Sequence, residues 1–531
     1  MRKRSDSGIL MLLFAFAVMF FAVTANYFHI AEKQEYVAAA SERSELTITS
    51  AEPRGTIYDR NMCPLVNAET EYRAVVVPSA VDRETAASCA LDRGQFMLRF
   101  DKGEPFAFDC KGDTESSAGL TVFEVPRRYG REQLAQHVIG YISDGVGVDG
   151  IERAYESILH DENAADSVTY QTDGFGRVLI GEGKTVTESG IERSGVVLTI
   201  DRDIQRICEE EGSGIGKGAV VCADVKTGDI LAMASFPSYS AENVEEAVSD
   251  ESCPMINRCL YSYSVGSIFK LVTACEALNE GMGGYIYDCG GSIDADGQIF
   301  NCHLLSGHGI QSMSVAMKNS CNTYFISLSR MLDIAAYRGL AYSLRFGREN
   351  YLCSGITGSA GVLPTVRQLE IPAELANFSF GQGRLTATPL QITQLVCTIA
   401  NNGKIPVLRL IRGLTLDGDS ISGKKNPQLS QVMSEDSAES LREMMIYAIE
   451  DNPNANARAK YVSVGAKTST AQTGRCDSDG EELCNAWITG FFPADEPQYA
   501  LTVMIEDGGY GNETAAPIFS AVADRVTREV E

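Results

Sequence analysis

From Ser7 to Ala31 the chain runs for 25 residues without one Asp, Glu, Lys or Arg. As a helix the run extends about 37 Å at ~1.5 Å per residue, enough to cross a hydrocarbon core of roughly 30 Å. Arg2, Lys3 and Arg4 precede it. Basic residues favour leaving that end in the cytoplasm, so everything after the run is expected outside the membrane. A cleaved signal peptide is the competing reading, with Val23-Thr-Ala25 as its cleavage site. The run is longer than the usual signal core, which favours an uncleaved single-pass anchor.

Composition narrows the possibilities for the rest of the chain. The 531 residues are 44% hydrophobic and 22% charged, which describes a globular chain with room for several domains. Its 45 basic and 71 acidic residues give a net charge of −26, so a nucleic-acid partner is excluded for want of basic surface. Fifteen cysteines, an odd number without any Cys-x-x-Cys pair, exclude a complete disulfide framework and a zinc ribbon. Cys289 and Cys302 flank a Gly- and Asp-rich loop, where a disulfide and free thiols are both open.

Texture divides the chain into four expected regions. Residues 1–31 are the tail and anchor, and 32–52, rich in Glu, Ser and Ala, read as a helical stalk or linker. Residues 53–193 alternate short strand-like and helical pieces, among them Gly150 to Leu159, and carry no catalytic constellation. At Ser194 a strand followed by an acidic helix opens the last region, 194–531. It begins with an apolar hairpin, Gly218 to Ala223 and Ile230 to Phe236. The turn between these strands carries Lys226-Thr227-Gly228, read as structural because Gly supplies a positive φ at a tight turn.

Tyr261 to Leu278 places Ser267 three residues before Lys270, and Phe269, Val272, Cys275 and Leu278 then recur at helical spacing. Residues three apart on a helix are neighbours on one face. A lysine desolvated there loses basicity and becomes able to activate the serine. The pattern alone is weak, since Ser422-Gly-Lys-Lys425 repeats it without a helical continuation. Further along comes Ser320-Cys-Asn322, between two apolar helical stretches, where capping is the bland reading. Then comes Tyr461 to Thr473, with Lys467-Thr468-Ser469-Thr470 in a strand-like run.

Ser-x-x-Lys, Ser-x-Asn and a Lys-Thr strand, in that order, resemble the penicillin-binding serine acyltransferases. Arg54 to Asn61, Gly150-Ile-Glu152 with Tyr155, Asp224 to Ala234, Phe380-Gly-Gln-Gly383 and Thr388-Pro-Leu-Gln391 sharpen the resemblance to class B penicillin-binding proteins. The resemblance implies an α+β fold. Its transpeptidase domain, of the kind shared with serine β-lactamases, is an antiparallel sheet flanked by helices, and between it and the single transmembrane helix stands a mixed pedestal domain. It implies Ser267 as nucleophile and Lys270 as its base, with Ser320 and Lys467 serving proton relay. Asn322, Thr468 and Thr470 are implied to hold substrate, Thr468 with Lys467 at the terminal carboxylate. The amides of Ser267 and Thr470 are implied as oxyanion donors. No metal or organic cofactor is implied. The expected partners are stem peptides ending in D-Ala-D-Ala, β-lactam antibiotics, a cell-wall glycosyltransferase and division or elongation proteins in the membrane.

Three positions depart from the family pattern: Ser469 stands for its glycine, Val265 for a common proline and Ile268 for a common threonine. A side chain at 469 is expected to crowd substrate or the facing helix, so Ser469→Gly is expected to speed acylation. The alternative function is a catalytically impaired scaffold of a cell-wall synthase. A β-lactamase would need a group that activates water for deacylation, and a β-lactam sensor several membrane helices.

Overall fold

The computed structural model describes residues 3–32, 44–161, 163–180, 183–424 and 426–530. The chain divides into two compact units that interleave in sequence: residues 1–53, 70–126 and 162–190 in one, and 54–69, 127–161 and 191–531 in the other.

In the first unit, helix α1 (Lys3–Glu32) contains the uncharged run, with mean hydropathy 2.5 and its large apolar side chains exposed. It is the one helix among the described residues long and apolar enough to cross a membrane. Residues 33–43 of the expected linker lie outside the described residues, and its last part is strand rather than stalk. Glu45–Ala51 pairs antiparallel with Asp166–Gln171, whose other neighbour is Lys184–Thr187. A second sheet sets Glu69–Val76 between Phe106–Cys110 and Leu120–Arg127.

The second unit is built on a five-stranded antiparallel sheet. Its strands are β1 (Gly218–Asp224), β2 (Ile230–Phe236), β3 (Gly465–Cys476), β4 (Glu482–Phe492) and β5 (Tyr499–Ile505), in the order β2-β1-β5-β4-β3. The β1–β2 turn holds Gly228 at φ +73°, and the Asp224 carboxylate accepts the Lys226 and Thr227 amides at 3.0 and 2.7 Å, so this Lys-Thr-Gly is structural. β1 and β2 are almost wholly apolar, Asp224 and Ser235 apart, because helices cover both faces. Val220 and Cys222 face a core shared with α2 (Arg202–Glu211) and α8 (Ala515–Glu529). Ala219 and Val221 face the larger core around α3 (Lys270–Asn279) and α6 (Pro389–Ala400). α7 (Glu435–Glu450) contributes Leu441 and Met445 to that core.

The sequence landmarks are structural joints of this unit. Arg54 reaches Glu152 at 3.4 Å, and Arg128 pairs with the same buried carboxylate at 2.7 Å, so two distant signatures close one ion-paired cluster. Thr388 caps α6 in a capping box with Gln391. The Gln391 amide nitrogen, with two hydrogens to share, also sits within hydrogen-bond distance of the carbonyls of Arg345, Arg348 and Ala360, at 2.9, 3.0 and 2.9 Å. Gln391→Ala removes the donor these part-buried carbonyls share and, with it, the capping box of α6, and is expected to destabilise this unit by about 1–3 kcal/mol. Differential scanning calorimetry will show a lowered Tm; an unchanged Tm would contradict this account of the landmark.

Candidate active site

Ser267 lies on a 3-10 turn, Gly266–Phe269, that continues directly into α3. The turn is anchored by Phe269, whose ring packs 4.6 Å from Phe378 and 5.2 Å from Phe346. Gly266 has φ +62°, and its amide donates to the Gly381 carbonyl at 2.8 Å. A Cβ on Gly381 would stand 2.1 Å from the Gly266 oxygen, which is why the Phe380-Gly-Gln-Gly landmark needs glycine there.

α4 (Met313–Lys318) and α5 (Asn322–Ser329) meet at Ser320, which has φ +49°. A left-handed serine is strained by about 1–3 kcal/mol and needs surrounding bonds to hold it. Its amide donates to Met317 O at 3.2 Å and that of Cys321 to Ala316 O at 2.9 Å. Neither Ser320 nor Asn322 caps α5; both side chains turn to Lys270 instead.

The Lys270 amine is buried and stands 3.0 Å from Ser267 Oγ, 2.6 Å from Ser320 O, 3.1 Å from Ser320 Oγ and 2.7 Å from Asn322 Oδ1. The two shortest contacts are to oxygens that can only accept. A neutral amine has two hydrogens and one lone pair, so those acceptors take both hydrogens and the lone pair is left to the hydroxyls. Burial pushes the Lys270 pKa well below its ordinary value, and the nearby Lys467 ammonium pushes it the same way. Lys467, also buried, donates to Ser320 Oγ at 3.2 Å and to Thr468 O at 3.0 Å. Desolvation lowers its pKa to about 8. A neutral amine can take the Ser267 proton, and an uninterrupted set of polar contacts joins Ser267, Lys270, Ser320 and Lys467.

The model of the penicillin binding protein transpeptidase domain matches residues 218–524, more than half of the chain. The chain belongs to the class B penicillin-binding proteins. It is 26% identical to the peptidoglycan D,D-transpeptidase MrdA of Acinetobacter baumannii over 75% of this chain and 66% of that protein, just under two thirds of the relative's length. It is 26% identical to stage V sporulation protein D of Bacillus subtilis over 85% of this chain and 70% of that protein. Penicillin binding protein 3 of Mycobacterium tuberculosis, solved with aztreonam, shares the fold at TM-score 0.66 and 22% identity, covering 91% of this chain and 97% of that one.

In this penicillin-binding protein β3 is the edge of the sheet, and it sets Lys467, Ser469 and Ala471 on one face. Lys467 reaches Ser320, while Ser469 and Ala471 lie against Gly266. Ser469 is 3% exposed, and its hydroxyl donates to the Val265 carbonyl at 2.8 Å. It therefore faces the turn that carries Ser267, and it fits because residue 266 has no Cβ. Thr468 and Thr470 point to the other face, both half-buried, and Thr470 Oγ1 accepts the Gly511 amide at 3.3 Å.

Sequence reasoning named no metal ligand, yet the fold gathers Cys289, Cys302, His308 and Cys321 with their ligand atoms all within 4.8 Å. Cys302 Sγ stands 3.8 Å from Cys321 Sγ, and His308 Nδ1 is 3.6 and 3.5 Å from the sulfurs of Cys289 and Cys302. The three cysteines are unbridged, Cys289 and Cys302 included. Three sulfurs and one imidazole are the soft tetrahedral donor set that suits zinc. Thr323 Oγ1, donating to Cys289 Sγ at 3.1 Å, supplies an orienting outer contact. A divalent ion held there would brace Cys321, the residue between Ser320 and Asn322. The signal was present as cysteines and a histidine whose spacing is unlike a zinc ribbon.

Two outcomes are expected from this geometry. Elemental analysis of the protein purified without chelator is expected to give about one zinc per chain, lost in Cys302→Ser; a zinc-free wild type would contradict the fit. The acylation constant k2/K for a penicillin is expected to rise with pH as Lys270 becomes neutral. It should fall again through about 8, where Lys467 gives up its ammonium charge. A profile with no descending limb between about pH 7 and 9.5 would contradict the role of the Lys467 charge.

Proposed function

We propose that this chain cross-links peptidoglycan stem peptides through an acyl-enzyme on Ser267. The observation that carries the reading is the buried Lys270 amine, held 2.6 Å from Ser320 O and 2.7 Å from Asn322 Oδ1 with Ser267 Oγ 3.0 Å away. Ser267 Oγ attacks the penultimate D-Ala carbonyl as its proton passes to Lys270. The new oxyanion is met by the amides of Ser267 and Thr470. First-turn amides of a helix lack intrahelical partners, and edge strands carry unpaired amides on alternate residues. Each such donor contributes about two to three orders of magnitude in rate. The tetrahedral centre then breaks its C–N bond, and a proton delivered through Ser320 leaves with the terminal D-Ala amine. Lys467 and Thr468 hold the terminal carboxylate, the lysine as a point charge, while Asn322 holds the peptide amide. An amine from a neighbouring strand attacks the ester, frees Ser267 and completes the cross-link.

The same reading places the N-terminus in the cytoplasm and the catalytic unit outside, on the strength of Arg2, Lys3 and Arg4 ahead of the uncharged run. The pedestal expected over 53–193 then corresponds to residues 70–126 and 162–190 of the first unit, while 54–69 and 127–161 belong to the same compact unit as the transpeptidase residues. Membrane partners of the glycosyltransferase and shape or division class are supported by two similar structures. One is a peptidoglycan synthase complex (25% identity, TM-score 0.70), the other a complex between PBP2 and MreC from Helicobacter pylori. Nothing in the placement of Ser469 favours the impaired-scaffold reading, because its hydroxyl is occupied and buried against the turn that carries Ser267.

Fluorescent penicillin is expected to label the wild type covalently, and Ser267→Ala to abolish the label while the protein keeps its Tm. Persistent labelling of that variant would refute the nucleophile. A folded wild type that takes no label would refute the activity.

A further inference from the structure

On the strand facing Ser267 this chain carries Ser469 where the family has glycine, and that departure reaches the peptide just ahead of Ser267. The peptide unit joining Val265 to Gly266 is pinned at both polar ends. Its carbonyl accepts from Ser469 Oγ at 2.8 Å, and its N–H donates to Gly381 O at 2.8 Å. One residue earlier, the Ser264 carbonyl accepts from Trp487 Nε1 at 3.0 Å, and Trp487 pairs with Ser469 across β3 and β4. The site is dry: Val265, Gly266 and Trp487 are buried, as is Ser469. It is also tight, since a Cβ on Gly266 would lie 2.4 Å from Ser469 Oγ and 3.1 Å from Ala471 Cβ.

Glycine is the residue about which a backbone turns most freely. At φ +62°, Gly266 is the point where the turn bearing Ser267 can rotate relative to β3. Where the family has glycine at 469, no side chain bridges the two. We propose that Ser469 is a positioning residue of the acylation centre. Its hydroxyl ties the nucleophile's turn to the edge strand and so fixes the Ser267 amide relative to the Thr470 amide. This role rests on the acyl-transfer reading. It also reverses the direction expected from sequence, since removing the side chain unties the turn instead of relieving a clash. Without the Ser469 hydroxyl the Val265 carbonyl keeps only its place as the first acceptor of the 3-10 turn, so nothing ties that peptide to β3 and it is free to rotate and carry Ser267 with it.

The test uses the full-length protein in detergent, with Ser469→Ala and Ser469→Gly compared to wild type. Acylation by a chromogenic β-lactam over a range of concentrations separates the initial binding constant K from the acylation rate k2. Both variants are expected to lose about tenfold or more in k2, as displacement of a reacting group by a fraction of an ångström does, with K within about twofold. Affinity for a boronic acid, whose serine adduct places an oxygen between the two amides, is expected to fall by a similar factor. A purely structural role would lower Tm without singling out k2 and boronate affinity. The proposal is overturned if k2 stays within about twofold of wild type in both variants, or if k2 falls while boronate affinity does not. Failure of the underlying reading is separate: wild type whose Ser267 peptide gains no β-lactam mass refutes acyl transfer itself.

Discussion

Burying an amine among hydroxyls and carbonyls, with a second lysine close by, forces a choice of protonation state, and the chemistry of this molecule depends on that choice. Lys270 has lost water, which disfavours its charged form, and Lys467 opposes a second positive charge beside it. The Ser320 carbonyl and the Asn322 amide oxygen demand hydrogens, so the lone pair is directed at hydroxyls without any further rearrangement. Much of the rest of the second unit serves to keep those oxygens where they are. The sheet, covered on both faces, fixes Lys467 on its edge; the helix junction holds Ser320 in a left-handed conformation; and the interlocked Gly266 and Gly381 bring Ser267 within reach.

The centre is assembled from three chain segments, each braced by contacts outside it. The α3 turn is braced by Phe378, Phe346 and Gly381, and the edge strand by its pairing with β4. The Ser320 turn is braced by Lys270 itself and by the sulfur-rich cluster through Cys321. Those supports explain why the family landmarks far from the chemistry are spaced as they are. Gln391 gathers three loop carbonyls, and Gly381 permits a backbone contact that any Cβ would block.

The anchor was legible because an uncharged run of that length has few other physical uses, and the order of the three motifs because each keeps its residue types on local elements. Which way Ser469 faces was not legible. A strand alternates its faces, and only the contact with Gly266 shows which face carries position 469. The cysteine and histidine cluster was hidden for a similar reason, since its members come from separate loops that the fold alone gathers. Glu45–Ala51 was misread as stalk because its partner strand, Asp166–Gln171, is remote in sequence and its Glu, Ser and Thr content resembles a linker. The interleaving of the two units, too, depends on long-range pairing, such as Thr56–Tyr58 lying parallel to Gly195–Leu198.

The central claim is that Lys270 rests as a neutral amine whose lone pair faces Ser267. Neutron diffraction from deuterium-exchanged crystals at neutral pH counts the deuterons on that nitrogen directly. The account predicts two, directed at Ser320 O and Asn322 Oδ1, with a deuteron on Ser267 Oγ pointing at the amine. Three deuterons on Lys270, one of them directed at Ser267 Oγ, would contradict it.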